Sequence, residues 1–129
     1  MISPDTDLIA RVRAAFPDIH VTVGIGQTSL KADKVVTIAS TGVFPMGPKA
    51  RGARWVVDVT VFCRGRTLAF DTAHAVFEEI GRAIDAGEIG HATGWEAVTL
   101  PMLAENPTSS QQHSVVAFAL QLWGHYGTT

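Results

Sequence analysis

The sequence of 129 residues has few of the groups that usually mark a specialised class of protein. It contains one cysteine, Cys63, which excludes an internal disulfide framework. It has 10 Lys and Arg against 12 Asp and Glu, so the basic excess typical of dedicated nucleic-acid binders is missing. No run of about 20 apolar residues is present, and the first residues lack a basic start followed by an apolar stretch. We therefore expect one soluble domain over residues 1–129, made in a cytoplasm.

Charged residues are scarce, at 17% against about 25% in average domains, while hydrophobic residues make up 47% of the chain. A lone domain of this size has a large surface to hydrate. The shortage of charge predicts that other subunits cover part of that surface. A monomer with an apolar exterior fits the same composition.

Hydrophobic periodicity and breaker residues predict a helix, three strands, a second helix and two last strands. This order predicts an α+β fold: a mainly antiparallel sheet of about five strands with both helices on one face. The predicted elements are a helix ending at Pro17, strands over 19–23, 35–41 and 54–63, a helix from Thr67 or Asp71 to Gly87, and strands over 95–103 and 114–123.

The last strand is apolar on both sides, so two helices on one face of the sheet leave an apolar surface on the other face. That surface would be costly to expose to water. We expect it to be covered by self-association, with a subunit interface that includes Val115, Ala117, Ala119 and Trp123.

Residues 42–53 predict a loop, because Pro45, Gly47, Pro48 and Gly52 interrupt any regular element. Connections in compact domains have a median length of about 4–6 residues, so a longer loop is a candidate contact arm. Its charges come from Lys49 and Arg51, and Arg54 follows at once.

Charge is unevenly distributed along the chain. Residues 31–66 hold seven basic and two acidic residues, an excess of +5, whereas the rest of the chain holds three basic and ten acidic residues. Such a division orients contacts between identical subunits or turns a basic rim towards DNA. Solvated loops without a partner are the alternative interpretation.

Residues that carry chemistry are few, and they favour no enzyme, cofactor or metal. Gly24 and Gly26 follow a strand, but the third glycine of a dinucleotide-binding loop is missing. His74 and Glu78 are spaced to share a helix face, yet no second histidine completes a metal site, so a surface ion pair is the simpler interpretation. Cys63 is expected to be a buried apolar residue, although Arg64 and Arg66 would favour a reactive thiolate.

The layout resembles the tail terminator proteins of long-tailed bacteriophages, also called minor tail or tail-completion proteins, over nearly the whole chain. The resemblance lies in an N-terminal helix ending in AFP, a breaker-rich loop before the strand RWVVDVTVFC, the helix DTAHAVFEEI, and an ENP loop before the strand VVAFAL.

This resemblance implies a ring, usually of six subunits, at the head-proximal end of the tail tube. The ring would stop tube polymerisation and provide the surface for head joining. Its partners would be further copies of itself, the tail tube protein and a head-completion or connector protein, with no membrane partner. Lys49, Arg51 and Arg54 would face the tube or the lumen, where non-specific contact with DNA is possible.

The location implied is the virion, after assembly in the bacterial cytoplasm. Three alternatives stay open at this stage. One is another phage neck, head-closure or tail tube subunit. The second is a small enzyme that uses Cys63 or the pair His74 and Glu78, and the third is a monomeric ligand-binding module.

Overall fold

The chain forms two helices and a five-stranded mixed sheet, which confirms the predicted α+β class and element order. The computed structural model describes residues 4–23, 33–46, 52–90, 92–104 and 113–125. The elements in chain order are α1 (Asp5–Ala15), β1 (His20–Thr22), β2 (Lys34–Met46), β3 (Gly52–Arg64), α2 (Arg66–Asp85), β4 (Ala92–Ala104) and β5 (His113–His125).

The strands lie in the order β1-β2-β3-β5-β4, so β5 is inserted between β3 and β4. β1 pairs with β2 in parallel over only three residues, and the other three pairings are antiparallel. The last strand in the sequence, β5, is therefore central, whereas β4 is an edge strand of the sheet. This placement decides which apolar residues are covered within one chain.

Both helices pack on the same face of the sheet, as predicted. Alternate residues of β3 and β5 point towards them, because side chains alternate across a strand. An aromatic cluster joins α2 to the sheet: the Phe77 ring meets Trp95 edge-on at 5.5 Å and Phe118 at 5.3 Å between centroids. The largest fully buried side chains of the core on this face are Phe118, Leu8, Ile38, Ile80, Ile89, Leu120, Leu122, Val12, Val21, Val36 and Val57.

The segment expected to be a loop, residues 42–53, is largely strand. β2 continues to Met46 and β3 already begins at Gly52, so only residues 47–51 separate them, and these lie outside the described residues. The pairing of β2 with β3 shifts in register between Ser40 and Gly42, as it does at a β-bulge. Among the described residues, β1 pairs with β2 no further than Thr37, so Pro45 lies where no described strand pairs with the outer side of β2, and proline is accepted at such a position.

The second helix starts at Arg66, before either predicted capping residue, and its start uses no side-chain cap. Gly65 adopts φ +115°, a conformation that favours glycine, and turns the chain directly from β3 into α2. At the other end Gly87, at φ +74°, follows the helix as predicted. The sheet and α2 are thereby joined by a one-residue turn.

Candidate interaction surface

The sheet face opposite the helices carries the four predicted interface residues of β5. The residues of β5 that alternate with them, such as Val116 and Phe118, point towards the helices instead. Val115 is buried at 6% exposure in a small cluster with Val35 and Phe62, so the chain itself already covers it. Ala119 is 9% exposed, and Ala117 and Trp123 are half-buried. The face is thus less exposed than the strand pattern indicates.

A shallow groove of about 390 Å³ crosses this helix-free face. Small side chains of β5, Ala117 and Ala119, form part of its floor, and Met102 and Leu103 of β4 form part of its wall. Asp58 of β3 contributes an exposed carboxylate. Its lining residues are mostly apolar, so it is suited to packing rather than to acid–base chemistry.

The edge strand β4 exposes a continuous apolar segment, residues 97–104, which we call the β4 margin. Val98 is 53% exposed, Leu100 64%, Met102 57% and Leu103 42%. The segment AVTLPMLA contains no charged residue. Several large apolar side chains exposed side by side on one strand form a patch, and such patches mark interaction sites.

Two register shifts between Ala97 and Met102 explain why so many neighbouring side chains are exposed at once. There the ladder to β5 is irregular, and the Thr99 hydroxyl accepts a hydrogen bond from the Ala119 amide at 2.9 Å. Bulges and Pro101 disturb the regular row of backbone groups that another strand needs for pairing. The β4 margin therefore offers side chains rather than a regular backbone edge.

A second, smaller apolar segment lies at the opposite lateral side of the sheet. We call this side of the sheet the β2 margin, after Val43 of β2, which is 40% exposed. Val23, just after β1 on the same side, is 58% exposed. Above this margin, the Asp5 carboxylate of α1 accepts hydrogen bonds from the Ser40 amide and hydroxyl, which attaches the helix to β2.

The exposed large hydrophobic residues of the described chain are confined to these two lateral sides. Neither helix and neither central strand, β3 or β5, contributes one among the described residues. They are Val23, Val43, Val98, Leu100, Met102 and Leu103.

The basic excess predicted over residues 31–66 is partly neutralised in the fold. Lys34 pairs with Asp18 at 2.8 Å, and its ammonium holds the pKa of that carboxyl below its ordinary value. Arg64 pairs with Asp33 at 3.3 Å. Arg54 is half-buried on β3, opposite Trp123 of β5, while Lys49 and Arg51 lie outside the described residues.

The candidate chemical residues that the structure describes lie on β3 and α2. Cys63 is buried on the helix side of β3, and burial raises the pKa of its thiol above the ordinary value. His74 and Glu78 are exposed on α2, and no group of three potential metal ligands occurs among the described residues. Gly24 and Gly26 lie outside the described residues. In the described part of the chain, no helix is long and apolar enough to cross a membrane.

Sequence reasoning missed the two margins. Residues 95–103 were predicted as a strand, but the position of this strand at the edge of the sheet depends on β5 pairing with β3. A usable signal was present in Pro101, because proline within a strand is typical of an edge strand. In comparison with known proteins, no protein family and no curated sequence matches this chain.

Proposed function

We propose that this protein is a structural subunit of long-tailed bacteriophages that forms a ring of six copies at the head-proximal end of the tail tube. The ring ends tube polymerisation and provides the surface for head–tail joining. The resemblance of the sequence to tail terminator proteins motivates the proposal. The observation that carries it is the confinement of the exposed large hydrophobic residues of the described chain to two opposite lateral sides of one sheet.

A ring is a closed assembly in which one patch of each subunit meets a different patch of the next. Two apolar patches on opposite sides of the same sheet have the arrangement that such an assembly needs. Covering Leu100 and its neighbours with a second subunit removes apolar surface from water, at about 25 cal/mol per Å². The low charge content of the chain, at 17%, fits a protein whose surface is partly covered in its working state.

The mechanism is one of shape rather than covalent chemistry. The ring binds the last ring of tube subunits and presents a different surface on its far side, so that no further tube subunit adds. Apolar contacts supply most of the affinity, while charges orient the partners. Lys49, Arg51 and Arg54 are the candidate contacts with the tube, the head connector or DNA in the lumen.

The first test is the assembly state of the purified full chain, measured by light scattering and negative-stain electron microscopy, alone and with tail tube subunits of the same phage. We expect isolated short rings, and tubes that stop growing when rings are added. Long tubes formed by the protein alone identify a tube subunit instead. Rings that bind the head connector but leave tube growth unchanged identify a neck protein.

A matched pair of variants links this activity to the apolar surface. Leu100→Glu places a charge in the β4 margin, and we expect it to abolish rings while leaving the circular dichroism spectrum unchanged. Thr93→Glu adds the same charge at an exposed position of the same strand, outside the margin. Rings that survive Leu100→Glu as well as they survive Thr93→Glu contradict the proposal.

A further inference from the structure

We infer that the groove on the helix-free face of the sheet binds a segment of a partner protein that presents an arginine or lysine next to large apolar side chains. The inference goes beyond the proposed function and does not depend on it, because the groove is formed within a single chain.

The apolar part of this site is formed by the neighbouring strands β5 and β4. Ala117 and Ala119 are too small to fill the space above the sheet, and the side chains of Met102 and Leu103 border that space. Met102 is 57% exposed and Leu103 is 42% exposed. The resulting volume of about 390 Å³ lies within the range of binding sites, which is about 300–1,000 Å³.

The β3 side of the groove carries an isolated negative charge. Asp58 is exposed, and its carboxylate forms no ion pair or hydrogen bond with a described residue. Its cross-strand neighbours are Ala39 of β2 and Ala119 of β5, which carry no charge. Val56 and Thr60 share its face along β3, because side chains alternate across a strand. No lysine or arginine occurs among the described residues that line the groove.

Arg54, the basic residue of β3 on the same face, is too distant to neutralise Asp58. The two positions are four residues apart on one strand, about 13 Å, and Arg54 is aligned with Trp123 of β5. The groove is therefore complementary in charge to a cation that a partner supplies. Arginine and lysine suit it because their aliphatic stems pack on apolar surface while the charged group reaches the carboxylate.

The partner segment docks through its side chains rather than as an added strand. The backbone groups of β3 and β5 are already paired with each other beneath the groove. Along β4, register shifts between Ala97 and Met102, together with Pro101, interrupt the row of groups that another strand needs. Met102 and Leu103 belong to both the groove and the β4 margin, so the apolar surface extends beyond the groove, which suits a protein segment better than a small molecule.

Selection from a library of random short peptides tests the inference without assuming a partner sequence. The purified full chain is the bait, and the tightest peptide is synthesised with a fluorescent label so that its Kd is measured by fluorescence anisotropy. We expect the enriched peptides to combine large apolar residues with an arginine or lysine. Binding should also shift the methyl NMR signal of Met102, which the Met102→Leu variant assigns.

A matched pair of variants tests the charge. Asp58→Asn removes the carboxylate and keeps its size, whereas Asp71→Asn makes the same change at an exposed position of α2, outside the groove. We expect Asp58→Asn to raise the Kd by about 10- to 100-fold, as loss of a hydrogen bond to a charged group does, and Asp71→Asn to leave it unchanged. Asp58→Arg should bind a peptide whose basic residue is replaced by glutamate, although either change alone weakens binding.

The outcomes separate this site from a solubilising charge and from the ring. Peptides without a basic residue, or peptides that the native protein and Asp58→Asn bind equally, overturn the inference, as does a Met102 signal that does not move. Absence of any enriched peptide also overturns it, and Asp58 then serves only to hydrate the sheet face. Leu100→Glu should still bind the peptide, because Leu100 is not among the residues that line the groove. Failure to form rings therefore leaves this inference standing, and failure to bind peptides leaves the proposed function standing.

Discussion

Two glycines allow tryptophan rings to lie against the backbone of this protein. A Cβ added at Gly81 of α2 would overlap the Trp95 ring, and one added at Gly94 would lie 2.6 Å from the Trp123 Nε1 atom. The Trp95 indole also donates a hydrogen bond to Asp85 at 3.1 Å, which holds the ring against the helix. At the residue scale, close approach rather than chain flexibility accounts for these glycines.

Gly81→Ala should therefore destabilise the protein, although alanine is the better helix former by about 1 kcal/mol. The Trp95 ring has to move away from the helix, and overpacking of this kind costs typically about 1–3 kcal/mol. We expect a net loss of about 1 kcal/mol in the free energy of unfolding, measured by urea denaturation. The double variant with Trp95→Phe makes room for the methyl group and should show favourable coupling; a Gly81→Ala protein more stable than native contradicts this account.

Cys63 behaves as a small apolar side chain in this environment. Desolvation by burial raises the pKa of its thiol, while a hydrogen bond with Thr72 and the nearby Lys34 act in the opposite direction. The thiolate is the reactive form, so its population at pH 7 is small.

Labelling of the native protein with a thiol reagent at pH 7 should be at least about tenfold slower than labelling of the unfolded chain, because burial limits access to the thiol. A Leu100→Cys variant supplies the matched exposed thiol and should react fast. Rapid stoichiometric labelling of native Cys63 would instead support the alternative of a thiol-dependent enzyme.

At the scale of elements, a charged network connects α1, α2 and the turn that leads to β4. Arg82 contacts Glu79 at 2.6 Å and Glu88 at 3.1 Å, and Arg11 contacts Glu88 at 3.0 Å. The hydrogen bonds from Arg82 lower the pKa values of Glu79 and Glu88 below the ordinary value of 4.5. Lowered folded-state values mean that the network stabilises the fold above pH 4.5 and that this contribution is lost as the pH falls further.

Arg82→Gln should lower the Tm at pH 7 by no more than about 5 °C, because exposed ion pairs contribute little. The difference from the native protein should stay constant between pH 6 and 8, shrink below the ordinary glutamate value, and shrink also in high salt. Arg66→Gln removes the same charge from the opposite end of α2 and serves as the control. A difference that persists unchanged in acid would disprove the assigned role of the network.

For the whole molecule, the proposed assembly predicts that thermal stability depends on protein concentration. If subunits cover the two margins in a ring, the folded state is stabilised by association, and the Tm depends on protein concentration. A 100-fold increase in concentration should stabilise each subunit by about 2 kcal/mol, equivalent to about 5–10 °C in Tm.

Differential scanning calorimetry over that concentration range measures the effect. The Leu100→Glu variant is expected to unfold at one temperature throughout, and Thr93→Glu is expected to follow the native protein. A native Tm that does not change with concentration would show that the fold is complete without neighbours.

Much of the fold was predictable from the sequence, because local chemistry decides it. The alternation of Val57, Val59 and Val61 predicted β3, and the three- and four-residue spacing of Val76 and Ile80 predicted α2. Both helices were correctly assigned to one face, since the apolar faces of the strands need a cover. The loop over residues 42–53 was misjudged, because β2 and β3 pair as far as Met46 and Gly52, and this pairing outweighs the local preference of proline and glycine for turns.

The candidate surface depended on tertiary structure, for a physical reason. Whether the apolar segment around Leu100 is core or exterior depends on which strand lies beside it, and that pairing involves residues far apart in the sequence. By itself the sequence determined the composition, the element types and the shortage of charge. Only the insertion of β5 between β3 and β4 decided that the β4 margin faces outwards, whereas Val115 is buried by its own chain.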